Sequence, residues 1–335
     1  MKKILNSPQD FVRETVEGIC LAYPGQLKML NNDFRMLVNA ETIRKKDKVG
    51  IVTAGGSGHL PVFLGYVGRG LLDGCAIGDV FASPSATKMS DIIRACDFGK
   101  GVLCLYGNYG GDKMNFAMAT EEVEFDGIKI ASVLISDDIA SSEEFEKRRG
   151  VAGMVYAFKI AGAAADLGYN LEEVVSITKI ALENIRTMGV ALSPCIVPTV
   201  GEPTFTVADG KMEIGMGIHG EAGIEIADIM KADELASLMF NKIDSELQLK
   251  EGDKISVLVN GLGATPQEEL FILYREIVGL CKLKNVTCVL PHIGEYATSM
   301  EMAGCSITIF KLNDELYRLL EVPAVSPFYT NNNIY

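Results

Sequence analysis

The sequence predicts an α/β protein of two domains, each built on a central sheet flanked by helices. Short apolar segments bounded by glycines, such as 48–54 and 101–106, alternate with amphipathic segments of helical period, such as 83–97. This alternation is typical of parallel βαβ units. The length of 335 residues is also more than a single hydrophobic core usually supports.

The first domain is predicted to span residues 1–189. It begins with a helix in which Ser7 is the N-cap and Pro8 the first helical residue. In chain order we then expect a strand at 48–54, a helix at 83–97, a strand at 101–106, a helix at 114–124, a strand at 128–136, and helices at 150–168 and 170–189. Gly168 and Gly189 are suited to end the last two helices, because glycine readily adopts the left-handed conformation of a C-cap.

The second domain is predicted to span residues 190–335. Asp209-Gly210 is a hairpin turn signal between two alternating segments within 204–217. Further along we expect a helix at 225–243, a strand, glycine-rich loop and helix within 253–280, and strands at 286–290 and 305–312. The second half is therefore α/β as well.

Charge and composition argue against several classes of protein. The formal net charge is −13, whereas nucleic acids and anionic membranes select basic surfaces, so neither is an expected partner. We find neither an apolar segment long enough for a membrane helix nor the apolar core of a signal peptide. The eight cysteines include no CxxC pair, which favours free thiols in a reducing compartment. We expect a cytoplasmic protein.

Two of the three histidines lie in glycine-rich segments. The segment Gly55-Gly56-Ser57-Gly58 leads from a strand into His59, and we expect a helix to follow, so that backbone N–H groups are offered to oxyanions or hydroxyls. It matches neither the Walker A pattern nor GxGxxG, and a tight structural turn is the alternative. Its position at the carboxyl end of a parallel strand favours a functional His59.

Asp112 and His219 complete the set of candidate catalytic residues. Asp112 lies in the next strand-to-helix loop, where it either caps the helix or joins His59 at one edge of the sheet. His219 lies between Gly217 and Gly220, and a neutral imidazole nitrogen is a competent nucleophile toward a carbonyl carbon. The alternative for His219 is an ordinary loop residue.

No metal site is predicted, because the remaining histidine, His292, and the carboxylates show no standard ligand spacing. Asp137-Asp138 follows the strand at 128–136 and could bind Mg²⁺, but ion pairs with Arg148 and Arg149 are the favoured interpretation. The glycine-rich segment 260–270 carries no catalytic side chain, so we interpret it as structural or interfacial.

Motifs along the whole chain resemble those of one family. GGSGH (55–59), VFASPS (80–85), NYGGDKMNF (108–116), DDIA with RRGVAG (137–140 and 148–153), MGIHGEAGI (216–224), NGLGAT (260–265) and TSMEMAGCSIT (298–308) match, in this order, the substrate-binding K subunit of dihydroxyacetone kinase. The resemblance implies two α/β domains and a homodimer.

The same resemblance implies roles for individual residues. His219 would bond covalently to the carbonyl carbon of dihydroxyacetone as a hemiaminal, and His59 would hydrogen-bond to the substrate and assist that step. Asp112 would act as the base on the hydroxyl that receives the phosphoryl group. The substrate-binding residues implied by the matching loops are Gly55, Gly56, Ser57, Gly58, Gly107 and Gly111.

The resemblance also implies the partners. This chain would bind no cofactor itself, and a separate L-type subunit would hold ADP or ATP with Mg²⁺. An M-type subunit of the sugar phosphotransferase relay would regenerate the nucleotide where the system is linked to it. The substrate would be a small ketose.

Three positions depart from the family pattern and bear on the substrate. Leu60 replaces a glutamate, Phe63 a histidine and Gly107 a lysine. We expect a more apolar pocket rim at Leu60 and Phe63 and a roomier pocket at Gly107, which would suit erythrulose or another small carbonyl compound. The alternative function is a ligand-sensing co-activator of a transcription regulator, and the presence of Asp112 favours the kinase.

Overall fold

The computed structural model describes residues 2–41 and 47–331, and within them the predicted α/β fold is confirmed. The first sheet has six strands in the order β1-β2-β4-β3-β5-β6. Their bounds are β1 Leu27–Met29, β2 Met36–Asn39, β3 Lys48–Ser57, β4 Gly74–Val80, β5 Gly99–Gly107 and β6 Ile130–Ile135. β3 runs parallel to both β4 and β5, and β5 runs parallel to β6. The carboxyl ends of these strands therefore meet at one edge.

Five helices accompany the first sheet in the described chain: α1 Phe11–Ala22, α2 Ala86–Ala95, α3 Gly110–Glu124, α4 Met154–Asp166 and α5 Leu171–Glu183. The helices α2 and α3 share a core with one face of the sheet, and α4 and α5 pack on the other. Every residue of α4 from Met154 to Ala165 is buried, as expected for a helix that is apolar on almost all sides, and the one charged side chain among them, Lys159, donates to the carbonyl of Leu319.

The second sheet is largely antiparallel. Its strands are β7 Ile185–Ala191, β8 Lys211–Ile214, β9 Glu225–Asp228, β10 Lys254–Gly261, β11 Thr287–Cys288, β12 His292–Gly294 and β13 Gly304–Leu312. The remaining elements are α6 Ala232–Leu247, α7 Gln267–Leu283, α8 Asp314–Glu321 and a small hairpin of β14 Ala324–Ser326 and β15 Tyr329–Asn331. The helices α6 and α7 cover one face of this sheet.

The helix predicted over 170–189 is wrong at its end. α5 stops at Glu183, and β7 begins at Ile185 and pairs antiparallel with β13. Gly189 therefore lies inside a strand and caps no helix. The apolar residues of 185–191 fit either period, and pairing with β13 decides in favour of the strand. The boundary placed after Gly189 falls within β7, and the division into domains stays a prediction.

The hairpin predicted within 204–217 does not form, because the strand after its turn pairs with a later segment instead. Gly210 does adopt a left-handed conformation, but the strand that follows it, β8, pairs with β9. The helix predicted at 225–243 accordingly begins later, at Ala232. The consequence is that the loop 215–224, which holds His219, connects two antiparallel strands of the second sheet.

The glycine-rich segment before His59 also differs from expectation. β3 continues through Ser57, and the next helical residues are a single 3₁₀ turn at Leu64–Tyr66. The α-helix expected after Gly58 is therefore absent from this described stretch. The prediction that a helix N-terminus here offers its N–H groups to oxyanions is wrong.

Across the described residues, we find no helix both long and apolar enough to cross a membrane.

Candidate active site

Three loops from the two sheets bring the predicted catalytic residues together. His59 follows β3 and Asp112 follows β5, at the shared edge of the first sheet. His219 comes from the β8–β9 loop of the second sheet. The ring centroids of His59 and His219 are 4.7 Å apart, and the rings meet edge to face.

The contacts of His59 fix its protonation. Its Nδ1 lies 2.8 Å from the carbonyl oxygen of Thr298, which can only accept, so Nδ1 carries the proton and Nε2 the lone pair. The His59 side chain is fully buried, and burial together with the nearby His219 lowers the pKa of His59 to about 3. Its Nε2 has no hydrogen-bond partner among the described residues. His59 is therefore a neutral acceptor for a ligand hydroxyl.

Asp112 lies in the first turn of α3 and does not cap it. The N-cap position belongs to Tyr109, while the Asp112 carboxylate accepts a hydrogen bond from the Ser83 hydroxyl at 2.5 Å. Burial raises the pKa of Asp112 to about 6, although this hydrogen bond and the nearby His219 act in the opposite direction. A carboxyl group with this pKa suits general base catalysis near neutral pH.

His219 is held by Glu221, two residues further along the same loop. The Nδ1 of His219 lies 2.9 Å from Glu221 Oε1, and the backbone N–H of His219 donates to Glu221 Oε2 at 3.0 Å. The guanidinium of Arg149 lies 3.7 Å from Glu221 Oε2 and is itself paired with Asp138. Burial opposes ionisation of Glu221, but the contacts with His219 and Arg149 outweigh it and bring the pKa of Glu221 down to about 2.

The segment 298–300 joins the two histidine loops. The carbonyl of Thr298 accepts from His59, and the hydroxyl of Ser299 donates to the carbonyl of Ile218 at 2.5 Å. The backbone N–H of Met300 donates to the carbonyl of Gly58. One short segment of the second half of the chain therefore sets the distance between His59 and His219.

Aromatic rings surround the two histidines. The ring of Phe81 stacks on His59 with centroids 4.8 Å apart, and the ring of Tyr109 meets His219 edge to face at 4.7 Å. Phe81 has a φ of 61°, which is unusual for a bulky side chain and is often found at functional sites. These rings restrict a ligand to a small space beside His219.

The predicted substrate-binding glycines have different surroundings. A Cβ at Gly56 would lie 2.7 Å from the backbone nitrogen of Ala82, so glycine is required here for the close approach of two backbones. The hydroxyl of Ser57 donates to the carbonyl of Gly78. Gly111 is exposed, next to Ser83 and one residue before Asp112.

The expected extra space at Gly107 is not found. A Cβ at this position would lie 3.0 Å from the ring of Tyr109 and 3.5 Å from the sulfur of Met154. The volume next to Gly107 is therefore occupied by Tyr109.

The apolar pocket rim expected from Leu60 and Phe63 is also corrected. Phe63 is only 3% exposed and packs against Gly55. Leu60 and Phe63 line an apolar cavity of about 290 Å³ next to α1, whose lining includes the segment 56–58 but none of His59, Asp112 and His219. Of the three substituted positions, Gly107 therefore bears on the surroundings of His219, because Tyr109 fills the space beside it and its ring contacts His219.

The acidic pair after β6 has a structural role. Asp138 pairs with Arg149, as favoured from the sequence, whereas Arg148 pairs with Glu246. The carboxylate of Asp137 accepts hydrogen bonds from the backbone N–H groups of residues 151 and 153. No cluster of three or more potential metal ligands occurs within residues 2–41 and 47–331.

Sequence reasoning missed Ser83, Tyr109 and Glu221 as residues of the site. Each lies inside a motif that had been identified, so the motifs marked the correct segments without assigning these side chains. For Glu221 a signal existed, because a carboxylate two residues from a histidine in a glycine-rich turn can fold back onto its ring.

Comparison with known proteins now decides the family. The Dak1 domain matches residues 17–328. The chain belongs to the Dak1 family. This result confirms the resemblance to the substrate-binding K subunit of dihydroxyacetone kinase.

Relatives and solved structures support the assignment. The chain is 40% identical to a protein of Listeria innocua named PTS-dependent dihydroxyacetone kinase 2, dihydroxyacetone-binding subunit DhaK, covering 98% of this chain and 99% of that protein. It is also 40% identical to an L-erythrulose kinase of Pectobacterium atrosepticum, of which the match spans only 57%.

Two solved structures share the fold over nearly the whole chain. The dihydroxyacetone kinase of C. freundii has a TM-score of 0.88 at 30% identity, covering 98% of this chain and 60% of that one. The dihydroxyacetone kinase operon co-activator Dha-DhaQ has a TM-score of 0.87 at 31% identity, covering 93% and 96% of the two chains.

Proposed function

We propose that this chain is the substrate-binding subunit of a dihydroxyacetone-type kinase, which captures a small ketose covalently on His219. The proposal rests chiefly on the juxtaposition of two histidines in complementary states. His59 is neutral, and its Nε2 has no hydrogen-bond partner within the described part of the chain. The ring of His219 lies 4.7 Å away, measured between ring centroids, and its Nδ1 faces the Glu221 carboxylate. The Nε2 of His59 can thus accept a hydrogen bond from a hydroxyl, and the Nε2 of His219 can attack a carbonyl carbon.

The capture step follows from these protonation states. The lone pair of His219 Nε2 forms a bond to the carbonyl carbon of the ketose, and the π electrons of the carbonyl move to its oxygen. That oxygen takes up a proton from water, which gives a hydroxyl, releases one hydroxide ion to the solvent and leaves one positive charge on the imidazole ring. His59 Nε2 accepts a hydrogen bond from a hydroxyl of the bound sugar, because a group with a pKa of about 3 has no second proton to donate.

Phosphoryl transfer then requires a base at the sugar's terminal hydroxyl. Asp112 supplies it from the first turn of α3, with a pKa of about 6 that leaves it ionised at neutral pH. The phosphoryl donor is ATP, held with Mg²⁺ on a separate L-type subunit; transfer leaves ADP there, and an M-type phosphotransferase subunit converts this ADP back to ATP. The similarity to proteins named as subunits of PTS-dependent dihydroxyacetone kinases supports this arrangement. Covalent capture holds the reacting hydroxyl in place, which contributes to the rate by proximity.

The favoured substrate is dihydroxyacetone. Relatives named L-erythrulose kinase and D-erythrulose kinase are also similar, at 40% and 39% identity, so erythrulose is the second candidate. The space next to Gly107 is occupied by Tyr109, which favours the smaller, three-carbon sugar.

A co-activator role is the alternative function, supported by the likeness to Dha-DhaQ. A sensor needs the capturing histidine but no base. The buried, hydrogen-bonded Asp112 with its raised pKa therefore favours the kinase.

The experiment combines native mass spectrometry with a transfer assay. The purified protein is incubated with dihydroxyacetone, D-erythrulose or L-erythrulose, and a mass increase equal to the sugar is sought in the wild type and in His219→Ala. An adduct that is lost in His219→Ala supports capture, and its sugar identifies the substrate. Added L-type subunit and nucleotide should then yield the sugar phosphate, and an adduct without any transfer would favour the sensor. A folded protein that forms no adduct would refute the proposal.

A further inference from the structure

We propose that Glu221 is the positioning residue for His219. Arg149, itself paired with Asp138, holds the Glu221 carboxylate in place, and the absence of a side chain at Gly217 makes room for this contact. This inference rests on the proposed function, in which His219 is the capturing nucleophile. It adds a chain of three charged side chains that connects His219 to the loop following β6.

Glu221 contacts both the ring and the backbone of His219. One oxygen lies 2.9 Å from the ring Nδ1, and the other accepts the backbone N–H at 3.0 Å. The turn that carries them is closed by two backbone bonds, from Gly220 N–H to the Gly217 carbonyl and from Gly217 N–H to the Glu221 carbonyl. With both carboxylate oxygens engaged, the imidazole ring has a fixed orientation relative to its own backbone.

Arg149 supports the carboxylate from behind. Its guanidinium lies 3.7 Å from Glu221 Oε2, bonds Asp138 at 2.8 Å and donates to the carbonyl of Gly215 at 3.1 Å. The side chains of Arg149 and Asp138 are only 13% and 3% exposed. Packing and their mutual ion pair therefore fix the conformations of these two side chains, which have little freedom to move into solvent.

Gly217 provides independent evidence that this arrangement is built into the loop. A Cβ at Gly217 would lie 2.1 Å from Glu221 Oε2 and 2.3 Å from the Nη1 of Arg149. Its backbone has no left-handed conformation that would itself demand glycine. The missing side chain at residue 217 therefore makes room for the Glu221–Arg149 contact.

The chemical consequence concerns both states of His219. An ionised carboxylate at Nδ1 keeps the proton on that nitrogen, so the lone pair is on Nε2, the nitrogen that attacks. After capture the ring carries a positive charge, and the adjacent carboxylate stabilises it more than it stabilised the neutral ring. Loss of Glu221 should therefore weaken the covalent adduct and also change the tautomer of the free protein.

The test measures these two quantities in the same set of variants. The variants are Glu221→Ala, Glu221→Gln and Gly217→Ala, compared with the wild type. Glu213→Gln is the matched control, because Glu213 accepts the Gly223 N–H in the same loop without touching His219. Protein labelled with ¹⁵N-histidine reports the tautomer, which is simple to assign with three histidines. Titration with dihydroxyacetone gives the adduct affinity, and circular dichroism verifies folding.

We expect the Nδ1–H tautomer in the wild type and a shift toward the Nε2–H tautomer in Glu221→Ala. Adduct affinity should fall about 10- to 100-fold in Glu221→Ala and Glu221→Gln, which is the loss found when a metal-binding histidine loses the carboxylate that orients it. Gly217→Ala changes only the shape of the loop, and it should also lower the adduct affinity. Glu213→Gln should stay within about twofold of the wild type, as expected of a substitution away from the histidine.

The outcomes separate this inference from the proposed function. If the wild type forms an adduct that is lost in His219→Ala while Glu221→Ala keeps both its tautomer and its affinity, the positioning role is wrong and the proposed function stands. If the wild type forms no adduct, the proposed function fails, and the ¹⁵N spectra of the wild type and Glu221→Ala alone decide whether Glu221 sets the tautomer.

Discussion

Ser83→Ala should raise the pKa of Asp112 and move the acid limb of the pH–rate profile to higher pH. The hydroxyl of Ser83 donates to the Asp112 carboxylate at 2.5 Å and stabilises its charged form, while burial raises the pKa to about 6. A hydrogen bond to a charged group contributes about 1.5–3 kcal/mol. At about 1.4 kcal/mol per pH unit, its loss corresponds to an increase of about 1–2 units.

This increase has a measurable effect at neutral pH. A base with a pKa of about 6 is about 90% ionised at pH 7, whereas one with a pKa of about 7.5 is about 25% ionised. The sign follows from the role of Asp112 as a base, because activity is lost as pH falls through its pKa. We therefore expect kcat/KM at pH 7 to fall about fourfold in Ser83→Ala and to recover at higher pH.

The assay is a pH–rate profile of ketose phosphorylation in the presence of an L-type subunit, supported by ¹³C NMR titration of the Asp112 carboxyl. The control is Ser85→Ala, because Ser85 is the N-cap of α2 but makes no capping hydrogen bond through its side chain. An unchanged acid limb in Ser83→Ala, or one shifted to lower pH, would refute the reasoning.

Three further predictions concern stability, and all are measured by urea unfolding. Gly55→Ala places a Cβ 2.2 Å from the ring of Phe63 and should lower the free energy of unfolding by about 1–3 kcal/mol; no loss would show that this ring moves freely. Gly18→Ala lies inside α1, where the added Cβ would meet no atom of the described residues within 4 Å outside the neighbouring helix backbone. It should instead raise the free energy of unfolding by about 0.5–1 kcal/mol, and a loss would contradict the open surroundings. Asn260→Leu leaves two backbone N–H groups of 296–297 without their acceptor and should cost about 2–5 kcal/mol, so a stable variant would mean that these groups find other partners.

The sequence was most informative where a single physical rule decides the structure. Ser7 and Pro8 predicted the first helix, and Ser7 does accept a hydrogen bond at its start, although the first turn is 3₁₀ before α1 begins at Phe11. The strand at 101–106 lies within β5, because a short apolar run between glycines leaves few alternatives. Local patterns of this kind predicted the fold class correctly.

The predictions failed where pairing with a strand distant in the sequence decides the structure of a segment. The segment 185–191 has a composition that suits helix or strand, and only pairing with β13 selects the strand. β9 was likewise absorbed into a predicted helix, because its pairing with β8 is not visible in its own residues. Strand pairing is a long-range property, so the period of one segment cannot determine it.

The site was predicted in its residues but not in its connections. His59, Asp112 and His219 were identified from loops and motifs, and the structure brings the two histidines together. The link that sets their spacing runs through Thr298, whose carbonyl oxygen binds His59 from more than two hundred residues away in the sequence. No pattern near either histidine indicates this contact, because it depends on how the two sheets pack.

The central claim is that the carbonyl carbon of a small ketose becomes bonded to His219. Dihydroxyacetone labelled with ¹³C at its carbonyl carbon tests this claim most directly when it is bound to the wild type and to His219→Ala. The account predicts a new tetrahedral-carbon signal of protein-bound sugar in the wild type, at a shift different from that of the free hydrate, whereas His219→Ala shows only the signals of the ketone and its hydrate. A ketone signal that binds to the wild type without changing would contradict covalent capture.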